Sequence, residues 1–279
     1  MSSPSSHAST TVASLWRYPV KSMQGEELNA SVVGERGLLG DRAYALVDAG
    51  DGKIASAKNP RKWPSLFAFR ANYCEEPRST TEPAPVRITL PDGKVLDGAR
   101  PDLPALLEPI LGRDAVLKAA GGTGVPPVGV LEEYWPDLEG LNHRDAVTDE
   151  AMPAGTFFDL APVHLLTTAT LARLSALHPQ GRFAVRRFRP NLVVAVEGEP
   201  QAFVENDWVG RTLLVGSEVR LRIVRPCGRC VMTTLPQADL PHDPGILRTA
   251  VQHNSGNVGV YATVLHGGIV QRGDGVRLE

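Results

Sequence analysis

The sequence lacks most of what would mark a secreted, membrane-spanning or nucleic-acid-binding protein. Its three cysteines are too few for a disulfide framework and odd in number, which agrees with a reducing compartment. No apolar run approaches the roughly 20 residues that cross a bilayer; the longest are strand-sized pieces such as Leu192 to Val196. The Ser-rich start, Met1 to Thr11, has neither the basic opening nor the apolar stretch of a secretory signal and reads as a disordered tail. Together these absences predict a cytoplasmic protein without a membrane anchor. Charge of either sign is not in surplus either, since 29 Lys and Arg stand against 31 Asp and Glu. That balance argues against a nucleic-acid groove or a polybasic membrane patch, so any contact with a polyanion has to be local. No repeat of about 20 to 50 residues is present.

What is there is a turn-rich globular chain, 42% hydrophobic with 27 Gly and 23 Pro, long enough for two ordinary domains. Short strand-like segments come early, at Val12 to Trp16, Tyr44 to Val47, Val86 to Leu90 and Val95 to Leu96. Asp48 to Gly52 and Pro91 to Gly93 end in Asp-Gly pairs that suit tight hairpins. Asp102 to Leu111 has helical spacing, and Cys74 to Pro85 reads as a surface loop. The Gly-Pro run from Gly121 to Pro127 divides the chain into a tail over residues 1–11, a first domain over 12–120 and a second over 121–279. In the second, Leu165 to Leu177 reads as an amphipathic helix capped by Thr167 or Thr168. The segments Leu192 to Val196, Thr212 to Val215, Val219 to Val224 and Val258 to Leu265 read as strands. The fold class is mixed and mainly β, a barrel or curled sheet with few helices.

The stretch richest in chemistry is Arg225-Pro-Cys-Gly-Arg-Cys230, which puts a C-x-x-C pair beside two arginines just after a predicted strand. Guanidinium charge and turn N–H groups favour thiolate, the form that binds metals or attacks electrophiles. Taken alone, the pair also suits zinc, thiol exchange or plain structure. A zinc site would need His242, His253 or His266 without paired spacing, because Cys74 is the only other cysteine. A thioredoxin-like pair should open a helix, whereas Val231 to Thr234 continues with β-branched residues. Lys21 and Arg42 sit in predicted loops and Arg189 at a strand entrance; if these converge with Arg229 they suit an anionic ligand such as a phosphate.

The ordered motifs are Tyr18-Pro-Val-Lys-Ser22, Gly40-Asp-Arg42, Phe188-Arg-Pro-Asn191, Arg225 to Thr234 and Gly259-Val-Tyr-Ala262 with Gly273-Asp274. In that order they resemble the MOSC family over nearly the whole chain. The resemblance is to members that join an N-terminal MOSC-associated β-barrel domain to a MOSC β-barrel domain, such as amidoxime-reducing components and bacterial hydroxylaminopurine-detoxifying relatives. It implies a molybdenum–pyranopterin cofactor whose metal is ligated by Cys230, with Cys230 also the catalytic position. Gly228 and Arg229 would line the cofactor, Lys21 and Ser22 would meet its pterin or phosphate, and Arg42, Arg189 and Asn191 would bind from other strands. Thr167 and Thr168 are further cofactor-binding candidates.

The implied activity is reduction of N-hydroxylated compounds such as amidoximes and N-hydroxylated bases. Three cysteines leave no set for a four-cysteine iron–sulfur cluster, so electrons are expected from a separate protein of ferredoxin, flavin or cytochrome type. No pyridoxal-phosphate desulfurase segment is expected. The alternative from another class is a non-catalytic module that carries or delivers the cofactor or a sulfur atom.

Overall fold

The computed structural model describes residues 10–78, 83–121, 128–196 and 202–279. The first half contains β1 (Thr10–Arg17), β2 (Glu26–Leu28), β3 (Ala30–Gly34), β4 (Gly37–Leu38), β5 (Tyr44–Asp48), β6 (Arg70–Tyr73), β7 (Val86–Thr89), β8 (Val95–Asp97), α1 (Leu103–Leu111) and β9 (Ala115–Ala119). There follow β10 (Val130–Trp135), β11 (Ala146–Ala151), β12 (Val163–Thr167), α2 (Thr168–Leu177), α3 (Val185–Phe188) and β13 (Leu192–Val196). The chain closes with β14 (Thr212–Val215), β15 (Val219–Gly228), α4 (Pro244–Asn254), β16 (Asn257–His266), β17 (Gly268–Gln271) and β18 (Val276–Leu278).

One eight-stranded sheet, in the order β18-β14-β15-β16-β12-β13-β1-β2, organises the molecule. Its neighbours are antiparallel except β12 and β13, which run parallel with α2 as part of the crossover between them. Alternating residues such as Leu15, Leu165, Leu192, Leu221 and Val260 fill its concave core. A second core, around Val20, Leu46, Phe69, Ile88 and Leu107, belongs to the smaller sheets β5-β9 and β6-β7-β8 with α1. Cys230 and Met232 pack into this second core although they follow β15, so the cysteine motif sits where the two cores meet.

Strand pairing crosses the expected division at residue 121 in both directions. β1 joins β13 in the large sheet, with Leu15 opposite Leu192, and β3 pairs with β17. In return, β10 lies along residues 54–58, through Ile54 N to Val130 O (2.8 Å) and Tyr134 N to Lys58 O (2.8 Å). The apolar face of β1 is covered only inside the large sheet, which draws it across the division. β1 also takes in Thr10 and Thr11, which the composition assigned to the tail; residues 1–9 and 122–127 lie outside the described residues.

The other expected segments differ in detail. Leu165 and Leu166 are strand, not helix: the parallel pairing of β12 with β13 uses them, and α2 starts at Thr168 with Thr167 as its cap. Val231 to Thr234 forms one 3-10 turn rather than extended chain. The Pro91 to Gly93 hairpin joins β7 to β8 as its turn chemistry predicts.

A buried arginine locks that 3-10 turn to the rest of the fold. Arg187, fully buried in α3, donates to Arg182 O (2.9 Å), Thr233 O (3.0 Å), Leu235 O (3.2 Å) and Pro241 O (2.7 Å). Burial lowers its affinity for the proton, yet four carbonyl dipoles take the place of a carboxylate. Arg187→Met is therefore expected to lower the unfolding free energy by about 3 kcal/mol, because it leaves these carbonyls without a donor. Urea unfolding of the purified variant measures it, and a loss below about 1 kcal/mol would show that water replaces the guanidinium there.

Candidate functional site

A polar cleft open to solvent lies at the junction of the two cores. Its walls come from several segments well separated in sequence. The Tyr18 to Ser22 loop runs beside Arg42 to Tyr44, through Arg42 N to Tyr18 O (2.8 Å) and Lys21 N to Tyr44 O (2.8 Å). The Arg189 to Asn191 loop follows α3. The end of β15 brings Gly228, Arg229 and Cys230, and register shifts at Ile223/Arg225 and Pro226/Gly228 bend that strand as it reaches the cleft.

One carboxylate ties three of these segments together. Asp41, fully buried, accepts from Tyr18 N (2.8 Å), from Asn191 Nδ2 (2.9 Å) and from Arg42 Nη1. Three residues at the cleft, Ser22, Arg42 and Arg189, hold left-handed backbone with φ of 63°, 47° and 54°. A side chain in that region costs on the order of 1 kcal/mol, so the surrounding hydrogen bonds have to impose it.

Five cations line the cleft, Lys21, Arg42, Lys58, Arg189 and Arg229, against one lining carboxylate, Asp159. Lys21 Nζ bonds Asp159 Oδ1 (2.5 Å) and Phe157 O (2.8 Å), while Lys58 pairs with Glu133 (3.0 Å) and lies 3.8 Å from Asp159. Burial would push the Asp159 carboxyl up, but Lys21 and Lys58 hold it well below the usual carboxylate range. Arg189 and Arg229 have no carboxylate partner among the described residues. Arg189 donates to Met23 O (2.6 Å), with Tyr18 and Phe67 rings 4.1 and 5.5 Å from its guanidinium carbon, and burial followed by the Arg42 charge lowers it to about 10. Arg229 Nε is buried without a partner.

The two cysteines have different environments. Cys230 lines the cleft; Cys227 is fully buried, and its sulfur receives Arg229 Nη1 at 2.8 Å. Burial works against ionisation of Cys227, but Arg229 and then His164 outweigh it and the thiol is lowered. Burial, with Glu133 next, pushes Cys230 up to about 12. The guanidinium expected to favour thiolate thus serves Cys227, and Cys230 becomes a thiolate only when a cation meets its sulfur.

The structure gathers Lys21, Ser22, Arg42, Arg189, Asn191, Gly228, Arg229 and Cys230 at one cleft. Asn191 spends its amide inside the fold, on Asp41, Trp16 O and the His164 amide, and Ser22 Oγ accepts from Ala57 N (3.0 Å). Thr167 and Thr168 are not among the lining residues. Thr167 turns to Glu205 Oε2 (2.6 Å) and caps α2, and Thr168 begins that helix. Among residues the sequence left unassigned, Lys58 and Asp159 gave no pattern to read. Tyr261 lay within the Gly259-Val-Tyr-Ala262 motif, whose Gly259 (φ 81°) leaves room for His164 and Leu165 O. Among the described residues no group of three or more His, Cys, Asp and Glu stands together as a metal site, and Cys230 lines the cleft whereas Cys227 does not.

The MOSC N-terminal beta barrel domain family matches residues 9–101 and the MOSC domain family residues 154–277. Mitochondrial amidoxime reducing component 2 from Macaca fascicularis is 30% identical over 233 residues, and its counterpart from Rattus norvegicus 27% over 235; each alignment covers 81% of this chain and 66% of the relative. The chain thus spans just under two thirds of the length of the curated relatives it matches. The YUAD protein of Bacillus subtilis, a solved structure, aligns over 97% of both chains at 12% identity and a TM-score of 0.47. No helix among the described residues is long and apolar enough to cross a membrane.

The Lys21–Asp159–Lys58 cluster carries a pH signature. Asp159 has a folded pKa below its unfolded value near 4, so its stabilisation is complete above about pH 4 and is lost as pH falls further. Asp159→Asn is expected to be about 2 kcal/mol less stable at pH 7, with the difference shrinking below pH 4. Parallel urea titrations test this; a difference that stays constant to pH 2.5 would remove the ion cluster as its cause.

Proposed function

We propose, from the premise that this chain belongs to the MOSC family, that it is an oxidoreductase removing oxygen from N-hydroxylated compounds at a molybdenum–pyranopterin held in the cleft. The carrying observation is the buried guanidinium of Arg189, which has no carboxylate partner among the described residues and lines the cleft beside Cys230; half-buried Arg229 is met by Cys227 and keeps Nε without a partner. A buried unpaired cation is destabilising by several kcal/mol unless an anion meets it, and a phosphate-bearing cofactor supplies one.

The donor set fits that group. Cys230 offers a soft sulfur that is neutral by itself and ionises when a metal cation displaces its proton. Arg189, Arg42 and Arg229 would hold the anionic parts, with Arg229 Nε as a donor still to be satisfied. When bound, the cofactor supplies a two-electron reduction in which an N–OH group, two electrons and two protons give N–H and water.

The chain's own groups prepare that step. Arg229, fixed by Cys227 and by Phe188 O (3.0 Å), keeps positive charge against the cofactor. Tyr261 Oη stays protonated because burial, reinforced by ionised Cys227, raises it well above its ordinary value, and the residue lines the cleft beside that cysteine. Asp159 stays ionised between Lys21 and Lys58 and serves to orient N–H or O–H groups rather than to supply a proton. A second cavity opens from the same cleft past Lys58, Asp159 and Tyr261, which gives a substrate access and favours catalysis over a carrier role. Electrons come from a separate protein donor, and the amidoxime-reducing relatives support an amidoxime or N-hydroxylated base as substrate.

Protein expressed in a host that makes the cofactor is expected to hold stoichiometric molybdenum and a pterin that fluoresces after oxidative release. Stoichiometric zinc without pterin would overturn the proposal. Arg189→Met should lower cofactor retention roughly ten- to hundredfold, the loss of one charge-assisted contact.

The cysteines should separate in the same preparations. With a low-potential chemical reductant, Cys230→Ala is expected to abolish amidoxime reduction, whereas Cys227→Ser keeps the metal and a measurable part of the rate. Equal and complete loss of metal in both would favour a shared two-cysteine site.

A further inference from the structure

Residues 102–153 fall between the two matched domains, and the β10–β11 hairpin within them forms one wall of the second cavity. The antiparallel register sets Glu133 opposite Thr148 and Leu131 opposite Glu150, so Leu131, Glu133, Trp135, Thr148 and Glu150 share one face. Leu131, Glu133, Trp135 and Glu150 line the cavity. The opposite face is tied down: Glu132 pairs with Lys53 (3.0 Å) and Lys62 (3.2 Å), and Asp149 with Lys53 (2.7 Å). At the tip, Gly140 (φ 92°) sits so close to α4 that an added Cβ would lie 2.6 Å from Val251 Cγ1. The hairpin is thus fixed on one side to Lys53 and Lys62 and rests at its tip on α4.

On the cavity face, Trp135 is held in a defined pose. Its indole Nε1 donates to Thr148 Oγ1 (2.8 Å), which in turn donates to Glu150 Oε1 (3.0 Å), and His143 meets the ring edge-on at 5.2 Å. Glu150 has no cationic partner among the described residues, in contrast to Glu133 on Lys58. Leu160, exposed at 44%, adds an apolar rim. The wall therefore presents an oriented aromatic side chain, an apolar rim and an uncompensated carboxylate, all in the cavity that shares Lys58, Asp159, Arg229 and Tyr261 with the cofactor cleft.

We propose that this hairpin is a substrate subsite, with Trp135 the residue that selects an aromatic ring and Glu150 the group that receives its N–H-bearing or cationic head. The inference rests on the oxidoreductase reading for what is turned over, but not for what binds. An aromatic ring gains on Trp135 through stacking or edge contacts that a methyl group lacks, and a carboxylate prefers an amidinium over a neutral amide.

Binding is measured first, by calorimetry on the full chain, with benzamidine, acetamidine and benzamide as probes. The wild type is expected to bind benzamidine about tenfold more tightly than either of the others. Trp135→Leu should remove the preference over acetamidine and Trp135→Phe restore part of it, while Glu150→Gln should remove the preference over benzamide. Equal binding of the three probes by the wild type, or preferences unchanged in the variants, overturns the subsite. Turnover is the second arm: Trp135→Leu should raise KM for benzamidoxime about tenfold and leave KM for acetamidoxime and both kcat values within about twofold. A parallel rise for both substrates also overturns it. Absence of any turnover in the wild type counts against the oxidoreductase reading alone, because the binding arm decides the subsite separately.

Discussion

The buried Asp41 carboxylate is the constraint on which the cleft depends. Its two oxygens take a backbone N–H from the Tyr18 loop, an amide N–H from Asn191 and the Arg42 guanidinium, groups drawn from three stretches of sequence far apart. A buried carboxylate is tolerable only when such donors surround it, so folding of the three stretches is coupled. Arg42 and Arg189 are then set beside the same Tyr18 ring, at 4.9 and 4.1 Å, in left-handed backbone that neither would adopt unaided. The clamp neutralises one of the two arginines and leaves the other with aromatic faces and a carbonyl. This asymmetry makes Arg189 the member of the pair that an anion would stabilise most.

A similar division of labour runs through the rest of the cleft. Lys21 and Lys58 are satisfied by Asp159 and Glu133 and shape the wall, whereas Arg229 is held by Cys227 and Phe188 O with one nitrogen left over. Carboxylates thus meet the lysines, a cysteine sulfur meets Arg229, and Arg189 has only a carbonyl and aromatic rings. Cys230 lies near both Lys58 and Arg229, yet burial and Glu133 push its thiol up, so neither cation is spent on its sulfur.

Much of this was legible in the sequence because it is carried by local chemistry. The strands near Tyr44, Val86, Leu192, Thr212, Val219 and Val258 follow from alternating or β-branched runs, and the Pro91 to Gly93 turn from its Asp-Gly pair. Lys21, Arg42, Arg189, Asn191, Arg229 and Cys230 were singled out through the ordered motifs that resemble the MOSC family, and all six line the cleft. What was illegible depends on pairing over long distances. Nothing local says that β1 leaves its neighbours for β13, or that residues 54–58 lie along β10 and so deliver Lys58. Thr167 and Thr168 misled for the opposite reason: a capping threonine before a helix has a clear local signal, and its role is spent there, on α2 and Glu205.

The exchange of strands between the halves explains why the cleft lies where it does. Had β1 remained with the core around Val20 and Leu46, Tyr18 to Ser22 would have no reason to approach the loop after α3; antiparallel pairing of Leu15 with Leu192 brings the end of β1 beside the start of β13. Had β10 and β11 packed with the large sheet instead of along residues 54–58, Lys58 and Glu133 would not meet. The bends near Pro226 then turn the end of β15 into the space between, and the Arg187 contacts stop the following 3-10 turn from relaxing out of it. Each segment at the cleft is thus anchored in one core while its functional side chain is presented at the other, and a small relative shift of the cores would separate cations, sulfur and cavity wall together. Packing that secures the seam is, on this argument, as much a determinant of ligand affinity as the residues that touch the ligand.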